Sequence, residues 1–285
     1  MLFSATIPQS VQEIAKNALR PGFQFIDTVG EDTDQTHQHV TQELVVMDLE
    51  DQIPSILSVL MREMSVPNFK VIVFFTTARL TGYMARLFQE LKFNVLEIHS
   101  RKSQAQRTKC SDEFRDGKNQ ILFSSDVSAR GMDYPDITFV LQVGLTEREQ
   151  YIHRLGRTAR AGKGGRGMLL LAPFEERSMT RALSDITLIP VSATSLNMPV
   201  MKPLIDGALA SVSRDEEFHK AAEQAYGAWL GFYNSNLKKC GWDKPELVVH
   251  ANTFSRYLGL SEVPFLEKKT VGKMGLKGVP GLRVK

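Results

Sequence analysis

"FKVIVFF" (69–75) sets a lone lysine among six apolar residues, with no polar alternation. A strand with water on one face alternates apolar and polar positions, so this run reads as a strand covered by protein on both faces. The same signature recurs in "NVLEIHS" (94–100), "QILFSSD" (120–126), "ITFVLQVG" (137–144) and "GMLLLAP" (167–173). Between the first two, Leu80, Met84, Leu87, Phe88 and Leu91 recur at helical spacing, and between the next two Cys110 and Phe114 do so within 103–115. Buried strands separated by amphipathic helices predict βαβ units, hence an α/β fold on a mostly parallel, doubly wound sheet with helices on both faces. Ligands of such sheets bind at the loops beyond the carboxyl ends of the strands.

The rest of the composition sets bounds. The 285 residues suffice for one large or two modest domains, and 42% hydrophobic with 24% charged residues is ordinary for a globular protein. A net charge of +3 permits a polyanionic partner if the basic residues cluster. The two cysteines, Cys110 and Cys240, imply no disulfide framework, and a reducing, intracellular compartment is the simpler reading. No apolar run approaches the ~18 residues of a membrane span, so a soluble chain without a membrane partner is expected.

Two loops are chemically loaded. Ser125-Asp126-Val127-Ser128-Ala129-Arg130-Gly131-Met132-Asp133-Tyr134-Pro135 follows a buried strand with a hydroxyl, two carboxylates, an arginine and a glycine. Asp126 can cap the turn with its side-chain oxygen, and Gly131 permits a close backbone approach. Asp133 can accept hydrogen bonds from ribose hydroxyls. A polar turn held by Asx bonds accounts for these residues equally well. "YIHRLGRTARAGKGGRG" (151–167) then places His153, Arg157 and Arg160 at i, i+4 and i+7, one helical face, with Arg154 beside them. Like charges so close repel unless an anion lies between them, and the planar arginine fork suits phosphate oxygens. A solvated basic face is the plain alternative, which the interleaved glycines disfavour.

In order and spacing, "HRLGRTARAG" and "SSDVSARGMDYPDI" resemble motifs VI and V of the DEAD-box ATP-dependent RNA helicases. "VIVFFTTAR" is similar to motif IV, His99 with Gln104-Ala-Gln-Arg107 to the family's His-Gly-x3-Gln-x-x-Arg element, and Ser4-Ala5-Thr6 to motif III. Ser125 stands where the family usually has Thr, Ser100 where it has Gly, and Ser128 where Ala is common; Ser125 keeps the hydroxyl. A second Ser-Ala-Thr at 192–194 lies outside this order and reads as a strand exit without chemistry.

The resemblance implies a RecA-like fold and a set of roles. Arg157 and Arg160 match the family's arginine fingers, of the kind worth roughly 10³–10⁵ in rate where they reach a γ-phosphate. His153 matches the residue linking the nucleotide site to the domain interface, and Asp133 and Gly131 match motif V positions near the nucleotide. Thr77, Arg79, Gln104, Arg107 and Ser125 match positions that hold RNA phosphates and sugars, contacts that position a strand without reading bases. Ser4 and Thr6 match residues coupling hydrolysis to strand separation. ATP with Mg²⁺ is the implied cofactor, RNA the partner, and the chain is expected to be monomeric with no metal site of its own.

The 285 residues contain neither Gly-x4-Gly-Lys-[Ser/Thr] nor Asp-Glu-Ala-Asp. With no phosphate cradle in the chain, the fingers lack a nucleotide to complete, and the chain by itself is expected to be inactive. Residues 1–28 read as the remnant of a first RecA-like domain, otherwise missing, with Ile7, Val11, Ile14 and Leu19 as its exposed apolar face. The acidic segment 29–40 reads as a linker, in which His37 and His39 lack partner ligands. Residues 41–194 then form the second RecA-like domain, "SLNMPVMKP" (195–203) a further linker, and 195–285 a small all-α extension.

In that extension Phe218, Ala222, Ala225, Trp229 and Phe232 share a helix face, as do Leu247, Ala251, Phe254 and Leu258, with Pro245 at a helix start and Gly259 near its end. The aromatics read as bundle core rather than as a base-stacking platform. Six basic residues against two acidic ones over 262–285 predict a tail that orders on a phosphate backbone. "AYGAWLGFYNS" and "KMGLKGVPGLR" resemble the extension of plant DEAD-box proteins and of their fungal mitochondrial splicing relatives, which packs on the second domain and helps bend RNA. Two readings therefore stand: part of an ATP-dependent RNA helicase, or a non-catalytic RNA-binding or chaperone module. The organelle is not legible in these residues.

Overall fold

The computed structural model describes residues 9–20, 22–24, 40–126, 134–159, 164–196 and 198–285. Two compact units divide the chain after Gln35. The first contains helix α1 (Gln9–Ala18), on which Ile14 is 56% exposed. Ile14 thus presents the apolar surface expected of it, whereas Ile7 and the Val11 side chain fall outside the described residues, as do the motif III residues Ser4 and Thr6.

The second unit is built on a sheet of seven strands: β1 (Val40–Val46), β2 (Lys70–Phe74), β3 (Val95–Ile98), β4 (Gln120–Ser124), β5 (Phe139–Val143), β6 (Gly165–Leu171) and β7 (Ile189–Pro190). Their order is β3-β4-β2-β5-β6-β1-β7, and every neighbouring pair is parallel. All five residues of β2 and of β5 are buried, which is why their apolar runs do not alternate. Period two survives in where they point: Val71, Val73 and Phe75 enter one core, and Ile72 and Phe74 the other. Fully burying one such side chain contributes about 1.5–3 kcal/mol, so a one-residue slip of β2 would scramble both faces at once.

Connecting helices α2 (Leu49–Met64), α3 (Ala78–Glu90), α4 (Gln104–Asp116), α5 (Arg148–Leu155) and α6 (Pro173–Ala182) complete the doubly wound layer. Thr77 caps α3, its hydroxyl accepting from the Leu80 amide, and a Ser103–Gln106 capping box opens α4. Phe114 of α4 meets Tyr134 edge-on at 5.0 Å over the smaller core, while Phe88 of α3 meets Phe123 at 5.2 Å over the larger.

Three expectations are corrected. Val40, placed at the end of a linker, begins the strand β1, whose apolar positions were missed because its polar residues interrupt them. The supposed linker 195–203 contributes to a helix, α7 (Met198–Leu209), in spite of Pro203 within it. Burial of Met201, Ile205 and Ala208 against α2 outweighs the local cost of that proline. The extension, expected to be all-α, also contains a short strand pair: β8 (Phe265–Leu266) pairs with β9 (Arg283–Val284) around α11 (Lys268–Lys273). Leu266, Val271 and Leu276 are buried and anchor a segment that a charge count marks only as basic.

The aromatics of the extension are core, as read. In α8 (Glu216–Asn234) Phe218, Ala222, Ala225 and Trp229 are buried, joined by Tyr226, Leu230 and Tyr233, while Phe232 is only half-buried. Beyond the short α9 (Leu237–Cys240), helix α10 (Lys244–Tyr257) opens on an Asp243–Glu246 capping box and ends at Gly259, whose φ of +73° suits glycine. Trp229 stacks on Phe254 at 4.8 Å. The layer packs on the sheet domain through α8 against α3, α10 against α2, and α7 against α2. Ser192-Ala193-Thr194 is a self-contained turn after β7, with Ser192 and Thr194 hydroxyls 2.8 Å apart.

Candidate nucleic-acid and nucleotide sites

The residues expected to hold RNA gather at the carboxyl edge of the sheet. Thr77 and Arg79 follow β2, His99 through Arg107 follow β3, and Ser125 follows β4. Thr77 uses one lone pair as a helix cap, leaving its O–H as a donor. Burial, and then the neighbouring Arg101 charge, push the Arg79 guanidinium below its usual basicity. Two arginines in each other's field are an arrangement that an anion relieves. Gln104 and Arg107 meet directly, with Arg107 Nη2 donating to Gln104 Oε1 at 2.5 Å, and Arg107 Nε is buried without a partner. Ser125 is buried after β4, its amide donating to Ile98 O at 3.2 Å.

His99 is a fixed support in this strip. Its Nδ1 accepts from the Arg101 amide at 3.2 Å, so Nε2 carries the proton and faces Glu97 Oε2 at 3.3 Å. Burial alone would raise the Glu97 carboxyl, but hydrogen bonds from His99 and Lys102, and the Lys102 charge, bring it below its usual range. Gly82 of α3 leaves room for the ring, since a Cβ there would lie 3.1 Å from His99 Nε2. The loop bearing Arg101 is thereby tied to β3.

Motif VI lies at the opposite edge. Helix α5 runs antiparallel to the strands, so the residues that follow it return to the amino-terminal ends of β5 and β6. Arg157 does not continue the helical face of His153 that was expected. The helix stops at Leu155 with Gly156 as its cap; the Arg157 and Thr158 amides close tight turns on Arg154 O and Leu155 O, and Ala159 takes φ +54°. Thr158 Oγ1 then donates to Ile137 O at 2.6 Å, pinning the turn to the start of β5. His153 and Arg157 are still brought together, because Arg157 Nε donates to His153 O at 3.2 Å. Arg157 lines a cavity of about 500 Å³ with Thr41, Asp136, Thr138, Gly165 and Arg166. Arg160, Gly131 and Asp133 lie outside the described residues, so their roles stay as expected from the resemblance.

Two side chains that hold these edges, Arg154 and Glu175, carry no direct mark of that role in the sequence. Arg154, set aside as a neighbour of the helical face, is 1% exposed. Its Nε donates to Asp126 Oδ1 at 2.9 Å, and its guanidinium lies 5.2 Å from the Phe74 ring centroid. Burial lowers its basicity, and Asp126 opposes that. Asp126 thereby ties the loop after β4 to α5; the turn it was expected to cap lies outside the described residues. A carboxylate directly after a buried strand, with a spare arginine downstream, was the available signal. Glu175 of α6 is fully buried, accepting from the Leu145 amide at 2.9 Å, the Ala172 amide at 2.8 Å and the Tyr233 hydroxyl. Burial pushes its carboxyl up to about 7 against those three hydrogen bonds. Nothing in "PFEERSMTRA" distinguishes it from an exposed N-terminal glutamate.

Among the described residues no group of three or more His, Cys, Asp or Glu is placed to hold a metal, and no helix is long and apolar enough to cross a membrane. Residues 52–162 match the family described as "Helicase conserved C-terminal domain". Over its whole length the chain is 50% identical to DEAD-box ATP-dependent RNA helicase 31 of Arabidopsis thaliana, covering 39% of that protein. Over 99% of its length it is 47% identical to DEAD-box ATP-dependent RNA helicase 26 of Oryza sativa subsp. japonica, covering 52% of it. The chain thus spans about half, or less, of these curated relatives. Its fold matches Mss116p bound to ssRNA and AMP-PNP with a TM-score of 0.77, at 24% identity over 99% of this chain and 57% of that one. It also matches Mss116p DEAD-box helicase domain 2 bound to an RNA duplex, with a TM-score of 0.69, at 22% identity over 86% of this chain and 98% of that one. By matched domain and by similarity along its whole length, the chain corresponds to the C-terminal part of DEAD-box ATP-dependent RNA helicases, and its RecA-like domain carries a helical extension packed upon it.

Proposed function

We propose that this chain provides the RNA-gripping and arginine-finger half of an ATP-dependent RNA helicase, which couples ATP hydrolysis to local duplex unwinding. The observation that carries this reading is the separation of two polar sites on opposite edges of one sheet. Thr77, Arg79, Gln104 and Arg107 follow strands at the carboxyl edge as a polar strip, and Arg157 lines a cavity at the amino edge. Such a strip suits sequence-independent RNA contacts, which act through phosphates and sugars. Arg157, with Arg160, would complete the γ-phosphate site of an ATP held mainly by a first RecA-like domain, where Mg²⁺ would also be bound. Asp133 and Gly131 would contact the nucleotide, His153 would support the finger, and Ser4 and Thr6 would couple the two events.

The carboxyl-edge strip is complete within this chain, so the 285 residues bind single-stranded RNA as a monomer but do not hydrolyse ATP. Adding a first RecA-like domain from a related DEAD-box protein, in trans or fused ahead of the chain, restores RNA-stimulated ATP turnover. RNA-stimulated turnover by the 285-residue protein alone contradicts this reading. RNA binding that no added first domain converts into turnover favours the module without catalysis.

A further inference from the structure

We propose that the helical extension is a positioning element for the carboxyl-edge strip, acting through Tyr233 and the buried Glu175; the consequence for RNA rests on the function proposed above. Four segments meet at Gly144, directly after β5. Its φ is +85°, and a Cβ there would lie 2.8 Å from Thr76 Cγ2, 3.3 Å from Glu175 Oε1 and 3.3 Å from Tyr233 Oη. Thr76 immediately precedes Thr77, so the turn after β5 is packed against the base of the strip. What holds that turn is Glu175: Oε1 accepts from the Leu145 amide and the Tyr233 hydroxyl, and Oε2 accepts from the Ala172 amide.

Tyr233 belongs to α8 and is the one donor of the three that comes from the extension. Its ring is wedged among Trp229 at 4.2 Å, Phe174 at 5.5 Å and Trp242 at 5.9 Å, which leaves the hydroxyl a single aim. The extension also holds the helix that Thr77 caps. Tyr83 Oη donates to Leu258 O at 2.9 Å, its ring packs on Phe218 at 5.4 Å, and Arg86 pairs with Asp215 at 2.7 Å. Thr77 and Arg79 thus stand on a segment whose base and middle are both fixed by residues beyond position 214. A buried carboxylate with both oxygens hydrogen-bonded transmits position well, because losing one donor weakens its hold in a low-dielectric site and lets the remaining bonds readjust.

Tyr233→Phe removes the hydroxyl and keeps the ring packing; Glu175→Gln keeps the shape and sets an amide against a row of donors. Amide hydrogen exchange on the folded chain is expected to quicken about tenfold or more at residues 144–146 and 76–79 in each variant, with β1 and β6 unchanged. Unaltered rates at 76–79 in both variants overturn the proposal. Binding to a fluorescent single-stranded oligouridine should weaken about 3–10-fold in Tyr233→Phe, and by less than twofold when the same change is made in a Thr77→Ala background. An equal loss in both backgrounds shows that Tyr233 does not act through the strip and also overturns it. If Thr77→Ala alone leaves oligouridine binding unchanged, the RNA reading of the strip fails, and the exchange rates still decide whether the extension positions it.

Discussion

The two edges of the sheet are made differently. At the carboxyl edge the candidate residues come from three loops, each tied to its own strand or helix: Thr77 as a cap, His99 bound to Glu97 and to the Arg101 amide, Gln104 and Arg107 on a capped α4. At the amino edge one segment supplies Arg157, held by a turn pinned through Thr158 to Ile137. The first edge is a stiff, extended strip suited to a long polyanion. The second is a short presentation of few charges at a cavity, suited to one compact anion. Arg154 joins them, since it lies at the end of α5 that leads to Arg157 and binds Asp126 at the end of β4. The contrast teaches that charge count does not separate the two roles; the number of independent anchors does.

The largest effect expected from this contrast is on turnover. With a first RecA-like domain supplied, Arg157→Ala should lower RNA-stimulated ATP hydrolysis by roughly 10³-fold or more while leaving oligouridine affinity within twofold. A parallel loss of RNA affinity would break the division between the edges. The second effect is on stability against pH. Glu175 titrates near 4.5 unfolded and at about 7 folded. Its folded value is raised, so the native state binds more protons between those values, and stability falls as pH rises from about 4.5 to about 7. The span corresponds to about 3 kcal/mol. Tyr233, raised by burial and by Glu175, and Cys240, pushed up to about 12 by burial, stay protonated throughout. Urea melts of the wild type and of Glu175→Gln check this, since the variant should lose that slope.

A third test removes the joint. Asp126→Ala strands the buried Arg154 charge and should cost about 2–3 kcal/mol, less than the ~3–5 kcal/mol of a fully buried pair because Asp126 itself faces water. Arg154→Met, which removes the charge as well as the bridge, should cost less than Asp126→Ala; the reverse order would show that packing on Phe74 dominates. The smallest effect is at the strip: Arg107→Ala should weaken RNA binding severalfold and reduce the slope of log affinity against log salt by about one. An unchanged slope would remove Arg107 from the phosphate-contacting set.

Much of the fold was legible because burial on both faces leaves an unmistakable mark. Five strands, the stripe of α3 and the core faces of α8 and α10 follow from apolar spacing alone. The misses share a cause as well. β1 mixes polar residues into its run, α7 carries an internal proline, and the folded tail is dominated by lysine, so in each the local signal is outvoted by a few long-range contacts. At the site, the order of motifs located the polar residues but not their grouping. The i, i+4, i+7 spacing of His153, Arg157 and Arg160 suggested one helical face, whereas Gly156 ends the helix before Arg157.

The sequence by itself determined the parallel α/β architecture, the identity of the polar residues after the strands, and the aromatic core of the extension. Each depends on local periodicity or on residue type, which need no knowledge of distant partners. Only the tertiary structure decided that Arg157 stands at the opposite edge from Thr77 and Arg79, that Arg154 is the joint rather than a contact, and that Glu175 gathers Leu145, Ala172 and Tyr233. Those outcomes depend on which distant groups are desolvated together. A carboxylate or guanidinium reads the same in a sequence whether it faces water or a partner 28 or 58 residues away, and its burial sets what it does.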